Sequence, residues 1–152
     1  MDINATLIDK GIVLPDAPPP AANYIPYVKI GKLVFVSGQV SQNENGFIKG
    51  VLGKDLNVEK GYDAARQCAI SLLAQLKSAV NGDLNKVTKV VKLGGFVNSA
   101  PDFTEQPSVI NGASDLLVEL LGEKGRHSRT AVGASLPLGV AVEIDGIFEV
   151  ES

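Results

Sequence analysis

Apolar residues in positions 57–80 recur at alternating steps of three and four, which is the repeat of one helical face. We therefore predict a long amphipathic helix there, with Asn57 suited to cap its start and Asn81-Gly82 suited to end it in the left-handed conformation. A second apolar stripe predicts a helix over Ser108–Leu121 that ends at Gly122. The first stripe consists of Val58, Tyr62, Ala65, Ala69, Leu72, Leu76 and Val80.

Short runs rich in β-branched and aromatic residues predict the strands. Tyr27–Ile30 and Leu33–Val36 indicate a hairpin, and Val87–Val97 indicates a longer strand. The last quarter, Gly125–Val150, contains two further strand-like runs joined by Leu136–Gly139. Alternation in the final run is typical of a strand buried on one face. Its predicted inner face is Val140, Val142, Ile144, Phe148 and Val150, and its outer face is Ala141, Glu143, Asp145, Ile147 and Glu149.

The N-terminal residues predict a short helix followed by an extended connector. Ile3, Leu7 and Ile8 stand at helical spacing, and Gly11 is suited to end the helix. Residues 15–20 contain four prolines, which restrict that stretch to an extended conformation.

Glycine and polar residues mark the boundaries between the remaining elements. We expect Ser37–Gln39 to end the second strand and the polar residues 42–46 to form a loop. Ser99–Pro107 is rich in turn residues and indicates another loop. Gly94-Gly95 indicates a bulge or a close backbone approach within its strand.

The element order is a hairpin, a helix, a strand, a helix and two strands. This order predicts an α+β fold, with a mixed β-sheet, two main helices packed on one of its faces, and the short N-terminal helix. Such an arrangement leaves the opposite face of the sheet uncovered, and a second copy of the chain is the simplest cover, so we expect a homo-oligomer. At 152 residues the chain is most simply a single domain over 1–152, with the helix and connector in 1–23 and the core in 24–150.

Charge and cysteine content narrow the classes of function. The net charge is −3, with no Trp and no Lys/Arg-rich cluster, so we do not expect nucleic-acid binding as the main role. No apolar run approaches the roughly 20 residues that span a bilayer, and the first residues lack the basic and apolar regions of a secretion signal, so we expect none. The single cysteine, Cys68, fits a reducing compartment and is interpreted as a small buried residue of the core. We therefore expect a cytoplasmic protein without membrane association.

Two charged residues of the last quarter are the main candidates for chemistry. If Arg129 and Glu143 lie on neighbouring strands, the guanidinium could bind a small carboxylate and the carboxylate could position a water beside it. An exposed ion pair between the two residues is the alternative interpretation. His127, the only histidine, is interpreted as a surface turn residue, with a position at the rim of the cleft as the alternative. No carboxylates cluster at ligand spacing, so we expect no metal site.

Four strings of sequence cover much of residues 24–150: GKLVFVSGQV at 31–40, AARQC at 64–68, LNKVTKVVKLGGFV at 84–97, and SRTAVGASLP with VAVEID within 128–145. Together they resemble the Rid family of reactive intermediate deaminases, also called the YjgF-like or L-PSP endoribonuclease family. The N-terminal helix and proline-rich connector resemble a longer-chain branch of that family. The resemblance implies a chorismate-mutase-like fold and a homotrimer with clefts between its subunits.

The resemblance also assigns roles to residues. It implies that Arg129 grips the carboxylate of the substrate and that Glu143 holds the attacking water. Tyr24 and Asn111 match residues that line the family's site. Ala131 stands where the family often has cysteine, so no thiol is available there. The segment from Arg129 to Glu143 is one residue shorter than in short members of the family, so the glutamate match requires a shifted turn at Leu136–Gly139.

Several of these polar residues also allow a purely structural interpretation. The ring of Tyr24 could pack on the sheet edge, Asn111 could belong only to the helix start, and Asp145 could face solvent or a partner subunit. Backbone amides near Thr130 and Ala131, or near Ser37 and Gly38, could complete an anion site.

The implied reaction is hydrolysis of reactive enamine or imine acids, such as imines derived from 2-aminoacrylate, to 2-keto acids and ammonia. It needs no metal and no organic cofactor. A non-enzymatic module that binds a small carboxylate in the same cleft as a regulatory signal is equally compatible with Arg129. A deaminase for a different imine also fits, whereas an endoribonuclease or translation inhibitor is less favoured by the acidic charge.

Overall fold

The predicted helices and strands assemble around one mixed sheet in a computed structural model that describes residues 2–152. The sheet has the strand order β1-β2-β7-β5-β6, and a small separate hairpin pairs β3 with β4. The chain therefore has the predicted α+β fold. The elements are α1 (Ile3–Asp9), β1 (Tyr27–Ile30), β2 (Leu33–Val40), β3 (Gln42–Asn43), β4 (Gly46–Phe47), α2 (Val58–Ala79), β5 (Val87–Val97), α3 (Gln106–Leu121), β6 (Ser128–Gly133) and β7 (Val142–Val150).

The two main helices pack on each other and on one face of the sheet, as predicted. The Asn57 side chain caps α2 by accepting from the backbone N–H of Lys60, and Asn81 ends the helix in the left-handed region at φ 55°. Gly112 lets α3 approach α2 closely, because a Cβ there would overlap the carbonyl oxygen of Tyr62. This close crossing holds α3 against α2.

Strand order departs from the expectation that Arg129 and Glu143 lie on neighbouring strands. β5 lies between β6 and β7: it pairs parallel with β6 and antiparallel with β7. The helix α3 forms the crossover that the parallel β5–β6 pair requires. β6 is consequently an edge strand of the sheet.

The inner face of β7 follows the predicted alternation, with Val142, Ile144, Phe148 and Val150 all buried. Ala141, predicted on the outer face, is buried as well. The strand begins at Val142 rather than Val140, and Ala141 instead bonds through its N–H to the carbonyl of Ile48 in a neighbouring loop. The helix-free face of the sheet carries exposed apolar side chains: Val28, Ile30, Phe35 and Val132.

Two polar segments differ from their predictions. Residues 42–46, predicted as a loop, belong to the β3–β4 hairpin, in which the Asn43 side chain accepts from the N–H of Asn45 and stabilises the turn. Ser37–Gln39 does not end β2. The pairing with β7 is interrupted after Val36 and resumes at Gln39, so the segment forms a bulge and the strand continues to Val40.

Smaller differences concern α1, β5 and α3. Ile8 is 77% exposed, because only Ile3 and Leu7 lie on the buried side of α1. Gly94-Gly95 pairs regularly with β7, and the register shifts fall earlier in β5, so the predicted bulge is wrong there. The alternative prediction of a close approach is confirmed, since a Cβ on Gly95 would press on the Ile110 side chain. α3 begins at Gln106 rather than Ser108, with Pro107 in its first turn.

The core contains Cys68 as predicted, fully buried, and burial raises the pKa of its thiol well above the usual value. The proline-rich connector lies against α2, where Gln75 Nε2 donates to the carbonyl of Pro18 at 2.6 Å. None of the helices in residues 2–152 is both long enough and apolar enough to cross a bilayer. The cytoplasmic location and the division of the chain at residue 24 stay predictions.

Candidate active site

Arg129 is held by α3 on the helix-covered side of the sheet. Its Nη1 donates to the hydroxyl of Ser114 at 3.0 Å, and its Nη2 donates to the carbonyl of Pro107 at 3.1 Å. Pro107, Asn111 and Ser114 are spaced by four and three residues and therefore lie along one side of α3. We call the group formed by Arg129, Pro107, Asn111, Ser114 and His127 the arginine pocket.

The charge of Arg129 has no acidic partner within residues 2–152. The salt bridges in that part of the chain involve Lys10, Arg66 and Arg126, whereas the two hydrogen bonds of Arg129 go to a hydroxyl and a carbonyl. A guanidinium has five N–H donors, so three remain for a ligand. A half-buried, fixed and unpaired guanidinium is suited to bind a carboxylate.

His127 is not the surface turn residue that the sequence suggested. It is half-buried at the entry to β6, and both ring nitrogens have partners. Nδ1 lies 2.6 Å from the carbonyl oxygen of Gly125, and Nε2 lies 2.8 Å from the hydroxyl of Ser114. Burial lowers the pKa of His127, the hydrogen bond to the Gly125 carbonyl raises it in part, and the positive charges of Arg129 and Lys89 lower it again, so the net shift is downward. The imidazole is thus favoured in its neutral form beside Arg129.

Glu143 lies in a different place, a cleft of about 880 Å³ at the junction of β2 and β7. Tyr24 and Ser37 line the same cleft, together with Leu138. Gly38 lies directly against the carboxylate of Glu143, and a Cβ at that position would overlap it. We call the group formed by Glu143, Tyr24, Ser37, Gly38 and Leu138 the glutamate cleft.

The environment of Glu143 favours its protonated form more than water does. Partial burial raises the pKa of its carboxyl group, and the negative charge of Asp145 raises it further. The pKa of Asp145 is also raised, chiefly by burial. A carboxylate whose pKa is moved toward neutrality is a better proton acceptor than an exposed one, which is the property a general base requires.

The two groups do not meet within one chain. Arg129 is level with Leu93 of β5, which is level with Gly146 of β7, three residues from Glu143. With two strand spacings across and three residues along, the Cα atoms of Arg129 and Glu143 are about 14 Å apart. Glu143 alternates with the buried Val142 and faces the helix-free side, whereas Arg129 faces α3. An ion pair between the two residues of one chain is therefore excluded.

The remaining predicted site residues divide between the two places. Asn111 is exposed on α3 one turn before Ser114, and Ala131 lies on the same side of β6 as Arg129 and packs against the core. Thr130 points to the helix-free side, level with Gly94 and Asp145.

In the glutamate cleft, the hydroxyl of Tyr24 accepts from the N–H of Ala21 at 3.2 Å. The hydroxyl of Ser37 donates to the carbonyl of Ile25 at 2.8 Å, which leaves its lone pairs to accept. The backbone N–H of Ser37 already donates to the carbonyl of Pro26, so it is not available for an anion. The Ser37 amide therefore cannot serve the predicted anion site, whereas the prediction for the amides near Gly38, Thr130 and Ala131 stays a prediction.

The sequence did not single out Ser114 as a neighbour of Arg129, nor its contact with His127. Their spacing of 13 residues carries no local signal, because they meet only where α3 folds back over β6. One signal was present: Ser114 falls on the same helical side as Asn111, three residues away. Within residues 2–152, no three His, Cys, Asp or Glu side chains converge as a metal site would require.

Comparison with known proteins identifies the family. The family model "YjgF/chorismate_mutase-like, putative endoribonuclease" matches residues 4–142. The chain belongs to the YjgF-like, or Rid, family. The fold is accordingly chorismate-mutase-like, with the mixed sheet and helices described above.

Individual relatives are similar to this family member over nearly their whole length. Protein TCP17 of Trypanosoma cruzi is 49% identical over 153 residues, which cover 99% of this chain and 95% of that protein. The crystal structure of protein Atu1372 of Agrobacterium tumefaciens, of unknown function, has 47% identity and a TM-score of 0.91, covering 98% of this chain and 92% of that one. A 2-iminobutanoate/2-iminopropanoate deaminase of Dermatophagoides farinae is 29% identical over 143 residues, covering 92% of this chain and 95% of that protein.

Proposed function

We propose that this YjgF-like protein hydrolyses reactive 2-imino acids to 2-keto acids and ammonia, without a metal or an organic cofactor. The observation that carries the proposal is the fixed guanidinium of Arg129, which has no acidic partner among residues 2–152 and keeps three N–H donors for a ligand. The similarity to an iminobutanoate/iminopropanoate deaminase gives independent support for this substrate class.

The chemistry requires few groups. Arg129 binds the carboxylate and fixes the imine carbon next to a water held by Glu143. Glu143 accepts a proton as the water oxygen bonds to the imine carbon and the C=N bond becomes a single bond. That proton passes to the nitrogen and gives a carbinolamine. The proton of the new hydroxyl then also passes to the nitrogen, the C–N bond breaks, and ammonia leaves as the C=O bond forms. Water supplies the oxygen and both of the hydrogens that are transferred, so no oxidant or reductant is needed.

We further propose that the site is completed between subunits of a homotrimer. Arg129 and Glu143 face opposite sides of one sheet, so a substrate can contact both only if they come from different copies of the chain. The exposed apolar side chains of Val28, Phe35 and Val132 on the helix-free face are a surface that such an assembly would cover.

A coupled assay tests the activity. An amino-acid oxidase generates imino acids from several parent amino acids, and keto-acid release is followed with and without the protein. We expect acceleration that is lost in Arg129→Ala and in Glu143→Gln. Arg126→Ala and Glu149→Gln are the matched controls, because these side chains lie nearby on the chain but outside both parts of the site. No acceleration for any parent amino acid would refute the proposal.

A second function is favoured by one feature, since the arginine pocket alone suffices to bind a carboxylate and needs no base. In that case the protein would bind a small carboxylic acid as a regulatory signal without turning it over. Calorimetric titration with 2-oxobutanoate separates the two functions. Binding that depends on Arg129, without turnover of any imine, would favour the binding module.

A further inference from the structure

The side chains of His127 and Ser114 link Arg129 to the Gly125 carbonyl through three hydrogen bonds, and the donor and acceptor of each bond are fixed. A carbonyl oxygen only accepts, so the 2.6 Å contact with Gly125 places the proton of His127 on Nδ1. Nε2 is then unprotonated and accepts from the hydroxyl of Ser114 at 2.8 Å. With its proton committed to His127, the Ser114 oxygen presents its lone pairs to Nη1 of Arg129 at 3.0 Å. In this series of hydrogen bonds, the Gly125 carbonyl fixes the proton of His127, and His127 in turn fixes Ser114 as the acceptor for Arg129.

We propose that His127 and Ser114 are positioning residues for Arg129: the neutral Nδ1–H imidazole fixes the Ser114 hydroxyl as an acceptor, and this holds the guanidinium in the orientation that binds the substrate carboxylate. The inference rests on the proposed function, because it concerns the same carboxylate site. It assigns a role to the chain's single histidine and to a serine that the sequence did not single out.

The charge state of His127 decides whether this arrangement persists. A protonated imidazole would direct an N–H at the Ser114 oxygen, so the hydroxyl proton would lose its acceptor while two donors competed for the same oxygen. The groups that face His127 are Ser114 on α3, Arg129 on β6, Lys89 on β5 and the Gly125 carbonyl. None of them carries a negative charge that would stabilise an imidazolium.

Protonation of His127 and binding of a carboxylate to Arg129 affect each other, so the pKa of His127 reports whether the arginine pocket is occupied. The positive charge of Arg129 contributes to the lowered pKa of His127. A carboxylate bound to Arg129 offsets that charge, so binding raises the pKa of His127. The effect depends on occupancy alone and does not require turnover.

NMR of the single histidine tests the arrangement directly. Long-range ¹H–¹⁵N spectra identify which ring nitrogen carries the proton, and a pH titration gives the pKa. We expect the Nδ1–H tautomer in the wild type and also in Ser114→Ala, because the Gly125 carbonyl that accepts from Nδ1 remains. We expect an upward pKa shift both in Arg129→Ala and on adding 2-oxobutanoate. An Nε2–H tautomer in the wild type would overturn the inference. So would a pKa of His127 that is the same in the wild type and in Arg129→Ala.

Kinetics of the imine hydrolysis provide the second readout. We expect Ser114→Ala and His127→Ala each to raise KM by about 3- to 10-fold, the loss of one hydrogen bond, with kcat within about 2-fold. His127→Gln should recover most of the lost affinity, because its amide oxygen can accept from Ser114 without titrating. Arg126→Gln is the control for the loss of a neighbouring polar side chain.

The two experiments separate the proposals. If the wild type hydrolyses no imine, but 2-oxobutanoate still raises the pKa of His127 and needs a higher concentration to do so in Ser114→Ala, the proposed activity fails and the positioning role stands. If the wild type is active and KM is unchanged in both Ser114→Ala and His127→Ala, the positioning role fails and the activity stands.

Discussion

Subunit complementation is the sharpest test of a site shared between chains. Arg129→Ala and Glu143→Gln each remove one of the two groups, so each variant alone should be inactive. Within one chain the Cα atoms of these residues are about 14 Å apart on opposite faces of the sheet, so no single subunit brings both side chains to one substrate. Co-folding the two variants in equal amounts should therefore restore activity.

The activity expected of the mixture follows from the fraction of sites that contain both Arg129 and Glu143. A shared site is intact when the subunit that supplies Arg129 is the Glu143→Gln variant and the subunit that supplies Glu143 is the Arg129→Ala variant. In a random 1:1 mixture each condition holds half the time, so about one quarter of the sites are intact in any closed homo-oligomer. The mixture should thus show about 25% of wild-type kcat per site with an unchanged KM.

The assay is the coupled oxidase reaction, run on co-refolded or co-expressed variants whose ratio is measured by mass spectrometry. Mixing the folded variants without subunit exchange is the control and should give no activity. Light scattering on the same samples gives the number of subunits. Activity that stays at the level of the single variants after verified co-assembly would refute the shared site.

Three further predictions follow from contacts in the site and the core. Arg129→Lys keeps the charge but loses the paired N–H donors that bind both oxygens of a carboxylate. We therefore expect KM to rise about 10- to 150-fold with little change in kcat, measured by steady-state kinetics. Asp145→Asn removes a negative charge that raises the pKa of Glu143, so the acid limb of the kcat/KM profile should move to lower pH; an unmoved limb would contradict a role for Glu143 as the base. Gly112→Ala presses a Cβ on the carbonyl of Tyr62 and should lower the free energy of unfolding by about 1–3 kcal/mol in urea titrations, whereas an unchanged midpoint would show that α2 and α3 can separate freely.

Local patterns predicted the elements well, because helices and strands are governed by short repeats. The stripe in 57–80 and its Asn57 cap gave α2 within a residue at either end. Alternation placed Val142, Ile144 and Phe148 of β7 in the core. The fold class followed from the order of elements, since strands separated by helices leave few ways to build a single layered core.

Long-range pairing was beyond the reach of such patterns. Nothing local to β6 or β7 reveals that β5 lies between them, because strand order is decided by which apolar faces meet after folding. The same applies to the arginine pocket. Arg129 was recognised from its motif, but its partners Ser114 and Pro107 come from α3, which contacts β6 only through tertiary packing.

The turn before β7 supports the same view of an incomplete cleft. The shortened segment passes through a tight turn in which Leu138 has φ 62° and Gly139 has φ 69°. A leucine in the left-handed region costs about 1–3 kcal/mol, which surrounding contacts normally offset. Leu138 nevertheless remains 55% exposed at the edge of the glutamate cleft. An exposed leucine in this conformation at the edge of the glutamate cleft is what we expect if a second subunit covers the cleft, as the proposed shared site requires.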